Sequence, residues 1–225
     1  MLRVILCLTV AISLCSNSLA QKLAAVPADI NPELPNVLLI GDSISIGYTK
    51  PVREKMKGLA NVFRPSTNCG PTTKGVAELD KWLGDRKWSV IHFNHGLHDL
   101  KYMGPDNENL ADPENSKSRQ QVPPAQYAAN LKKIAERLKK TGAIVIWCET
   151  TPVPEGAKGR VVGDSKKYNT IAAKVVQELG DIQTNPLWRL STKGIPTRPA
   201  NVHYTAEGSD KLADQVALVI KKNLP

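Results

Sequence analysis

Cysteines and long hydrophobic runs are scarce in this sequence. Two of its four cysteines, Cys7 and Cys15, fall in the first 20 residues, so Cys69 and Cys148 are the one pair left for a disulfide in the rest of the chain. Oxidising compartments permit such a bond. Cysteines on strands several positions apart, at ~4.8 Å per strand, lie too far from each other to pair. We therefore expect two unpaired thiols.

The longest apolar run of the sequence lies in its N-terminal stretch. Arg3 precedes the apolar segment 4–14, and Ser18-Leu19-Ala20 places small residues where signal peptidase reads them. This pattern predicts a signal peptide over residues 1–20, cleaved after Ala20, and a secreted or periplasmic protein. The run is too short to span a bilayer comfortably. We therefore expect no stable membrane insertion.

Basic residues outnumber acidic ones but form no concentrated patch. The formal net charge is +9, and it falls to +8 when Arg3 leaves with the signal peptide, which contains no acidic residue. No basic run is interleaved with aromatic residues, which argues against a nucleic-acid partner. The charge fits solubility and some attraction to anionic polysaccharide or a cell surface.

Apolar runs alternate with amphipathic segments along the remaining chain. Residues 21–35 contain three prolines and predict an extended lead-in, and residues 36–225 have the size of a single domain. Strands are predicted at 37–43, 60–64, 88–94, 143–147 and 181–184, with helices between them. This order predicts an α/β protein, a three-layer α/β/α sandwich around a mostly parallel five-stranded sheet. The polar tract 104–123 is either a substrate-facing loop or a disordered insertion.

The outgoing loops of parallel strands meet at one edge of the sheet. Here that edge would gather Ser43, Gly70, the segment 95–99 and His203. A serine hydroxyl becomes a nucleophile when a histidine takes its proton. Ser43 is therefore a candidate nucleophile with His203 as its base. The alternative from local sequence is that Ser43 only caps the following helix.

Two short sequence blocks carry a family resemblance. Gly41-Asp42-Ser43 and Val202-His203-Tyr204-Thr205 resemble the first and last blocks of the SGNH (GDSL-type) hydrolase family. The resemblance implies a flavodoxin-like fold, an attack by Ser43 on an ester carbonyl, activation by His203 and no cofactor. It also implies a backbone oxyanion donor at Gly70.

The remaining blocks depart from the family pattern. The third block resembles Gly-x-Asn-Asp but reads Gly96-Leu97-His98-Asp99, so His98, or Asn94 nearby, would supply the side-chain oxyanion donor. The family aspartate three residues before the histidine is replaced by Ala200. Asn201, through its amide oxygen, or a backbone carbonyl is then the candidate that orients His203, in a Ser–His dyad. We expect Asp42 to stabilise its turn and Asp99 to hold its loop through backbone N–H groups.

The preferred hypothesis is an exported serine esterase that removes small acyl groups, most simply O-acetyl, from a carbohydrate or small-molecule ester. An alternative is a non-catalytic module on the same fold that binds glycan or a partner, which His98 and Ala200 favour. A third class is a zinc hydrolase that uses His92, His95 and His98. Strand alternation places His92 and His95 on opposite faces and argues against that metal site.

Overall fold

The computed structural model describes residues 26–27 and 29–225. The predicted signal peptide and the first part of the lead-in lie outside the described residues. The described part of the lead-in has turns and bends before the first strand begins at Asn36. Within the described ranges, none of the helices combines the length and apolar character needed to cross a bilayer.

Strands and helices alternate as the sequence predicts. The strands are β1 (Asn36–Ile40), β2 (Asn61–Phe63), β3 (Val90–Phe93), β4 (Tyr102–Met103), β5 (Arg119–Gln120), β6 (Ile144–Cys148) and β7 (Ile182–Asn185). The helices are α1 (Ser43–Lys55), α2 (Thr72–Leu83), α3 (Pro124–Lys139), α4 (Asp164–Leu179), α5 (Leu187–Ser191) and α6 (Ala206–Lys221), with a 3₁₀ turn at Pro105–Asn107.

Five strands form one parallel sheet in the order β2-β1-β3-β6-β7. The predicted three-layer sandwich with a five-stranded parallel sheet is therefore confirmed. Val37 to Ile40 of β1 are at most 1% exposed, since helices cover both faces of a parallel sheet. The two central strands pair Leu38 with Ile91 in parallel register, so the loops after β1 and β3 leave the sheet side by side.

The helices divide between the two faces of the sheet. α1 packs against α6 on one face, whereas α2, α3 and α4 pack side by side on the other. Thr205 caps α6, because its hydroxyl accepts the Gly208 N–H at 3.0 Å. The α1–α6 contact places the segment before α6 close to the start of α1.

Two regions differ from the sequence-based description. The tract 104–123 is folded, so its interpretation as a disordered insertion is wrong: β5, which lies within it, pairs antiparallel with β4, and the Ala111 N–H donates to the Tyr102 carbonyl at 3.0 Å. The loop after β7 contains α5, which has no periodic signal. Its N-terminus is held by a distant side chain, since Glu149 Oε2 accepts the Trp188 N–H at 3.1 Å.

Candidate active site

Ser43 is the first residue of α1, directly beyond the end of β1. Asp42 is the residue that caps this helix, because its Oδ1 accepts the Ile44 N–H at 2.9 Å. The alternative in which Ser43 serves only as the N-cap is therefore wrong. Ser43 keeps a half-buried hydroxyl and an N–H that has no partner inside the helix, since the first four N–H groups of a helix lack one.

His203 meets Ser43 across 160 residues of sequence. The two are joined by a 2.8 Å hydrogen bond between His203 Nε2 and Ser43 Oγ. His203 lies in a tight loop before α6, closed by a bridge between Thr197 and Tyr204 and by the Arg198 N–H, which donates to the His203 carbonyl at 2.9 Å. The sequence-predicted pair is thus brought together.

Asn201 determines which imidazole nitrogen of His203 carries the proton. Its Oδ1 accepts the backbone N–H of His203 at 3.0 Å and lies 2.6 Å from His203 Nδ1. A backbone N–H can only donate, so the Asn201 atom at this position is the amide oxygen. His203 Nδ1 must then carry a proton, and Nε2 of the neutral ring presents its lone pair to Ser43. This is the tautomer that a general base requires.

The surroundings of His203 favour its neutral form. Burial lowers the pKa of His203 below its ordinary 6.5; Asp42 opposes that change, and the cations Arg198 and Arg160 add to it. A neutral imidazole near pH 7 can accept the Ser43 proton. Both the geometry and the protonation state of His203 therefore suit a general base.

Two of the predicted oxyanion donors are already engaged. The Gly70 N–H donates to Asn68 Oδ1 at 2.9 Å. The Asn94 amide donates to the Cys148 carbonyl at 2.8 Å and to Thr150 Oγ1 at 3.2 Å, which ties the ends of β3 and β6 together. Asn94 has a structural role, and the assignment of Gly70 and Asn94 as oxyanion donors does not match these contacts.

His98 is available as a donor. Its ring is partly exposed, and within the part of the chain that the structure describes neither ring nitrogen has a hydrogen-bond partner. Burial lowers the pKa of His98 to about 4, with Asp42 opposing and Lys101, Arg160 and His95 adding to the change. A neutral imidazole carries one N–H, so His98 can donate to an anion at this edge.

Asp99 anchors the loop that carries His98. Its Oδ1 accepts the Thr72 N–H at 2.8 Å and the Thr72 hydroxyl at 2.5 Å. The backbone bond agrees with the role expected from the sequence, and the contact fixes the loop to the N-terminus of α2. Burial raises the pKa of the Asp99 carboxyl to about 7, although both bonds from Thr72 favour the charged form.

The other histidines and the cysteines have packing roles. The His92 ring lies 3.0 Å from the Asn185 amide and the His95 ring 3.0 Å from the Gly70 carbonyl. Among the described residues no group of three histidine, cysteine or acidic side chains is arranged to hold a metal ion. Cys69 and Cys148 are free and buried, as expected, and burial raises the pKa of Cys69 to about 11.

Arg160 is a site residue that the sequence reasoning missed. Its Nε donates to the Leu97 carbonyl at 3.1 Å, which places the guanidinium beside the His98 loop. The only available signal was its position in the loop 149–163, which leaves β6 at the same edge as Ser43. An isolated arginine in such a loop is not distinctive in sequence.

The Ser–His pair on this doubly wound sheet defines a serine hydrolase type of site. The sequence profile of the GDSL-like lipase/acylhydrolase family matches residues 37–216. That match covers most of the chain, which therefore belongs to the GDSL-like lipase/acylhydrolase family.

Solved structures share the fold at low sequence identity. An acetyl xylan esterase, AlAXEase, has a TM-score of 0.65 at 15% identity over 82% of this chain and 99% of that chain. The lipase/acylhydrolase from Enterococcus faecalis has a TM-score of 0.64 at 19% identity over 85% and 98% of the two chains. The psychrotrophic esterase EstA from Pseudoalteromonas sp. has a TM-score of 0.60 at 14% identity over 83% and 97%. No curated protein sequence matches the chain.

Proposed function

We propose that this protein is an exported serine esterase that removes small acyl groups, most simply acetyl, from a carbohydrate. The observation that carries the proposal is the 2.8 Å contact between His203 Nε2 and Ser43 Oγ, with the ring held in the base-competent tautomer by Asn201. Membership of the GDSL-like lipase/acylhydrolase family supports the general activity, carboxylic ester hydrolysis.

The chemistry is acyl transfer in two steps. Ser43 Oγ attacks the ester carbonyl carbon while His203 Nε2 takes the hydroxyl proton, and the same proton then passes to the departing alcohol as the ester C–O bond breaks. A water molecule, deprotonated by His203, attacks the acyl-Ser43 carbonyl. The carboxylic acid leaves, and the proton returns to Ser43.

The negative charge that develops on the carbonyl oxygen needs donors in this site. The Ser43 N–H lies at the positive N-terminal end of α1, and the His98 ring N–H is the second donor we assign. Removing one such donor typically lowers the rate by ~10²–10³.

Two observations support the choice of an acetyl group as the acyl part of the substrate and a carbohydrate as its alcohol part. One solved structure of the same fold is described as an acetyl xylan esterase, and the N-terminal sequence has the features of a signal peptide cleaved after Ala20. Export would give the enzyme access to polysaccharides outside the cytoplasm. Recovery of a mature chain that begins at Gln21 from the secreted or periplasmic fraction would test this localisation.

The proposed activity is tested with a small acetyl ester and the variant Ser43→Ala. We expect the wild type to release acetate and Ser43→Ala to fall to the rate of the uncatalysed reaction. Equal turnover by both proteins would exclude Ser43 as the nucleophile. An acetate-release screen over acetylated polysaccharides, with Ser43→Ala as the blank, then identifies the carbohydrate.

A second candidate is a glycan- or partner-binding module without turnover. The replacement of the family aspartate by Ala200 favours it, because loss of that carboxylate in a Ser-His-Asp enzyme costs about four orders of magnitude. Glycan binding without labelling by a serine-reactive phosphonate would support this candidate over the esterase.

A further inference from the structure

Two cations flank His98 without a carboxylate to pair them. Arg160 is half-buried and uses its Nε on the Leu97 carbonyl. Lys101 is only 9% exposed, and its Nζ donates to the neutral Asn109 side chain at 2.7 Å. Among the described residues neither cation has a carboxylate oxygen within 4.0 Å. Two buried or half-buried cations without an anionic partner are costly to keep in a fold.

Three cations act on the rings of His203 and His98. Arg160 and Arg198 both lower the pKa of His203, and Arg160 and Lys101 both lower that of His98. Asp42 acts on both rings in the opposite sense. Its Oδ1 is used on the Ile44 N–H, and as an N-cap it offsets the positive end of α1.

We propose that Arg160 and Lys101 form a subsite for an anionic group on the alcohol part of the substrate, so that the enzyme prefers esters of acidic carbohydrates. This inference rests on the proposed esterase activity and names its substrate class. Both cations lie beside the loop that carries His98: Arg160 contacts the Leu97 carbonyl, and Lys101 follows His98 by three residues. A small acyl group carries no charge, so the anion belongs to the alcohol.

The guanidinium of Arg160 suits this role because only its Nε has a hydrogen-bond partner among the described residues. The two terminal nitrogens remain to form a bidentate contact with a carboxylate or a sulfate. The two anions share this chemistry, and different probes separate them.

The experiment compares three aryl acetates that differ in charge: para-acetoxybenzoate, para-acetoxybenzenesulfonate and the neutral methyl ester of the first. Each kcat/KM is divided by the rate of hydrolysis of the same ester in hydroxide, which removes differences in leaving-group reactivity. The variants are Arg160→Gln, Arg160→Lys and Lys101→Gln. The matched control is Arg137→Gln, an equal charge loss near the end of α3 at the opposite edge of the sheet, where Arg137 pairs with Asp80.

We expect the wild type to favour at least one anionic ester over the neutral one by about tenfold or more, the size of one charge-assisted hydrogen bond. Whichever anion is favoured identifies the group as carboxylate or sulfate. Arg160→Gln and Lys101→Gln should reduce that preference, Arg160→Lys should reduce it less, and Arg137→Gln should retain it.

Two results would overturn the inference. One is a wild-type protein whose normalised kcat/KM is about the same for the anionic esters as for the neutral ester. The other is an equal loss of kcat/KM on all three esters in Arg160→Gln, which would mean that Arg160 only holds the Leu97 carbonyl. Lys101→Gln leaves the Arg160–Leu97 bond in place, so it decides the question if Arg160→Gln fails to fold. If the wild type hydrolyses none of the esters, the proposed esterase function itself fails.

Discussion

At the scale of single residues, Asn201 takes over the orienting contact that an aspartate makes in related enzymes. One amide oxygen accepts both the backbone N–H and the ring Nδ1–H of His203. Ala200, at the position of the family aspartate, is exposed and has a left-handed backbone with φ of 49°. The residue type at 201 therefore matters more for this site than the residue type at 200.

Truncating Asn201 should damage turnover without removing a group that touches the reacting atoms. We expect Asn201→Ala to lower kcat by about tenfold or more with little change in KM, because the ring loses the contact that fixes its tautomer and orientation. Asn201→Asp keeps the acceptor in the same place and should retain activity. Steady-state kinetics on one acetyl ester measures both variants, and full activity in Asn201→Ala would contradict this role.

The pH dependence of kcat/KM reports the protonation of His203. Only the neutral ring can take the Ser43 proton, and burial, with nearby Arg198 and Arg160, lowers the pKa of His203. We expect the acid limb of the wild-type profile to fall below pH of about 6.5. In Asn201→Asp the new carboxylate favours the charged ring, so the limb should move to higher pH. An acid limb above the ordinary histidine range in the wild type would contradict the electrostatics described for the site.

At the scale of elements, the buried Asp99–Thr72 contact joins the loop after β3 to the start of α2. Because burial raises the Asp99 pKa from 3.8 to about 7, the folded state holds a proton that the unfolded state releases at lower pH. Between these values the native protein binds more protons, so this carboxyl makes stability fall as pH rises through that window.

Replacing Asp99 with Asn isolates this effect, since the amide oxygen can still accept both bonds from Thr72. We expect the stability of the wild type relative to Asp99→Asn to decrease from pH of about 4 to 7, by on the order of 1 kcal/mol per pH unit, and to level off above that range. Urea unfolding at several pH values measures the difference. A difference independent of pH would show that Asp99 is already ionised throughout.

Elements with their own periodic pattern were predictable from the sequence, and elements held by distant partners were not. Both β1 and the start of α6 are determined by nearby residues. An apolar run forms β1 itself, and Thr205 caps α6 through the Gly208 N–H. α5 depends on Glu149, which lies 39 positions before Trp188 in the chain. The β4–β5 pair depends on contacts such as Tyr102 N–H with Gly159 O, which local sequence does not encode.

At the scale of the whole molecule, parallel strand order explains why the Ser43–His203 pair was predictable. The loops after parallel strands share one edge, so residues 160 positions apart meet without any local signal. The same rule does not say which donors are free there. Asn68 takes the Gly70 N–H and Thr150 takes one donor of Asn94, and these bonds became visible only in three dimensions.

The fold also gathers residues that the family pattern does not include. Arg160 and Lys101 arrive from loops after β6 and β3, and the first reaches the site through the Leu97 carbonyl. Their position follows from the sheet order, whereas their lack of a carboxylate partner follows from the packing of the loops. Both cations are buried or half-buried and have no carboxylate partner among the described residues, which is why we propose them as a substrate subsite and not as ordinary surface charges.

Covalent labelling tests whether Ser43 is the nucleophile and His203 its base. The protein is treated with a serine-reactive phosphonate, and peptide mass spectrometry locates the adduct. We predict one adduct per chain on Ser43, strongly slowed in His203→Ala and absent in Ser43→Ala. An unlabelled wild-type protein, or an adduct that persists at another residue in Ser43→Ala, would show that Ser43 is not the nucleophile.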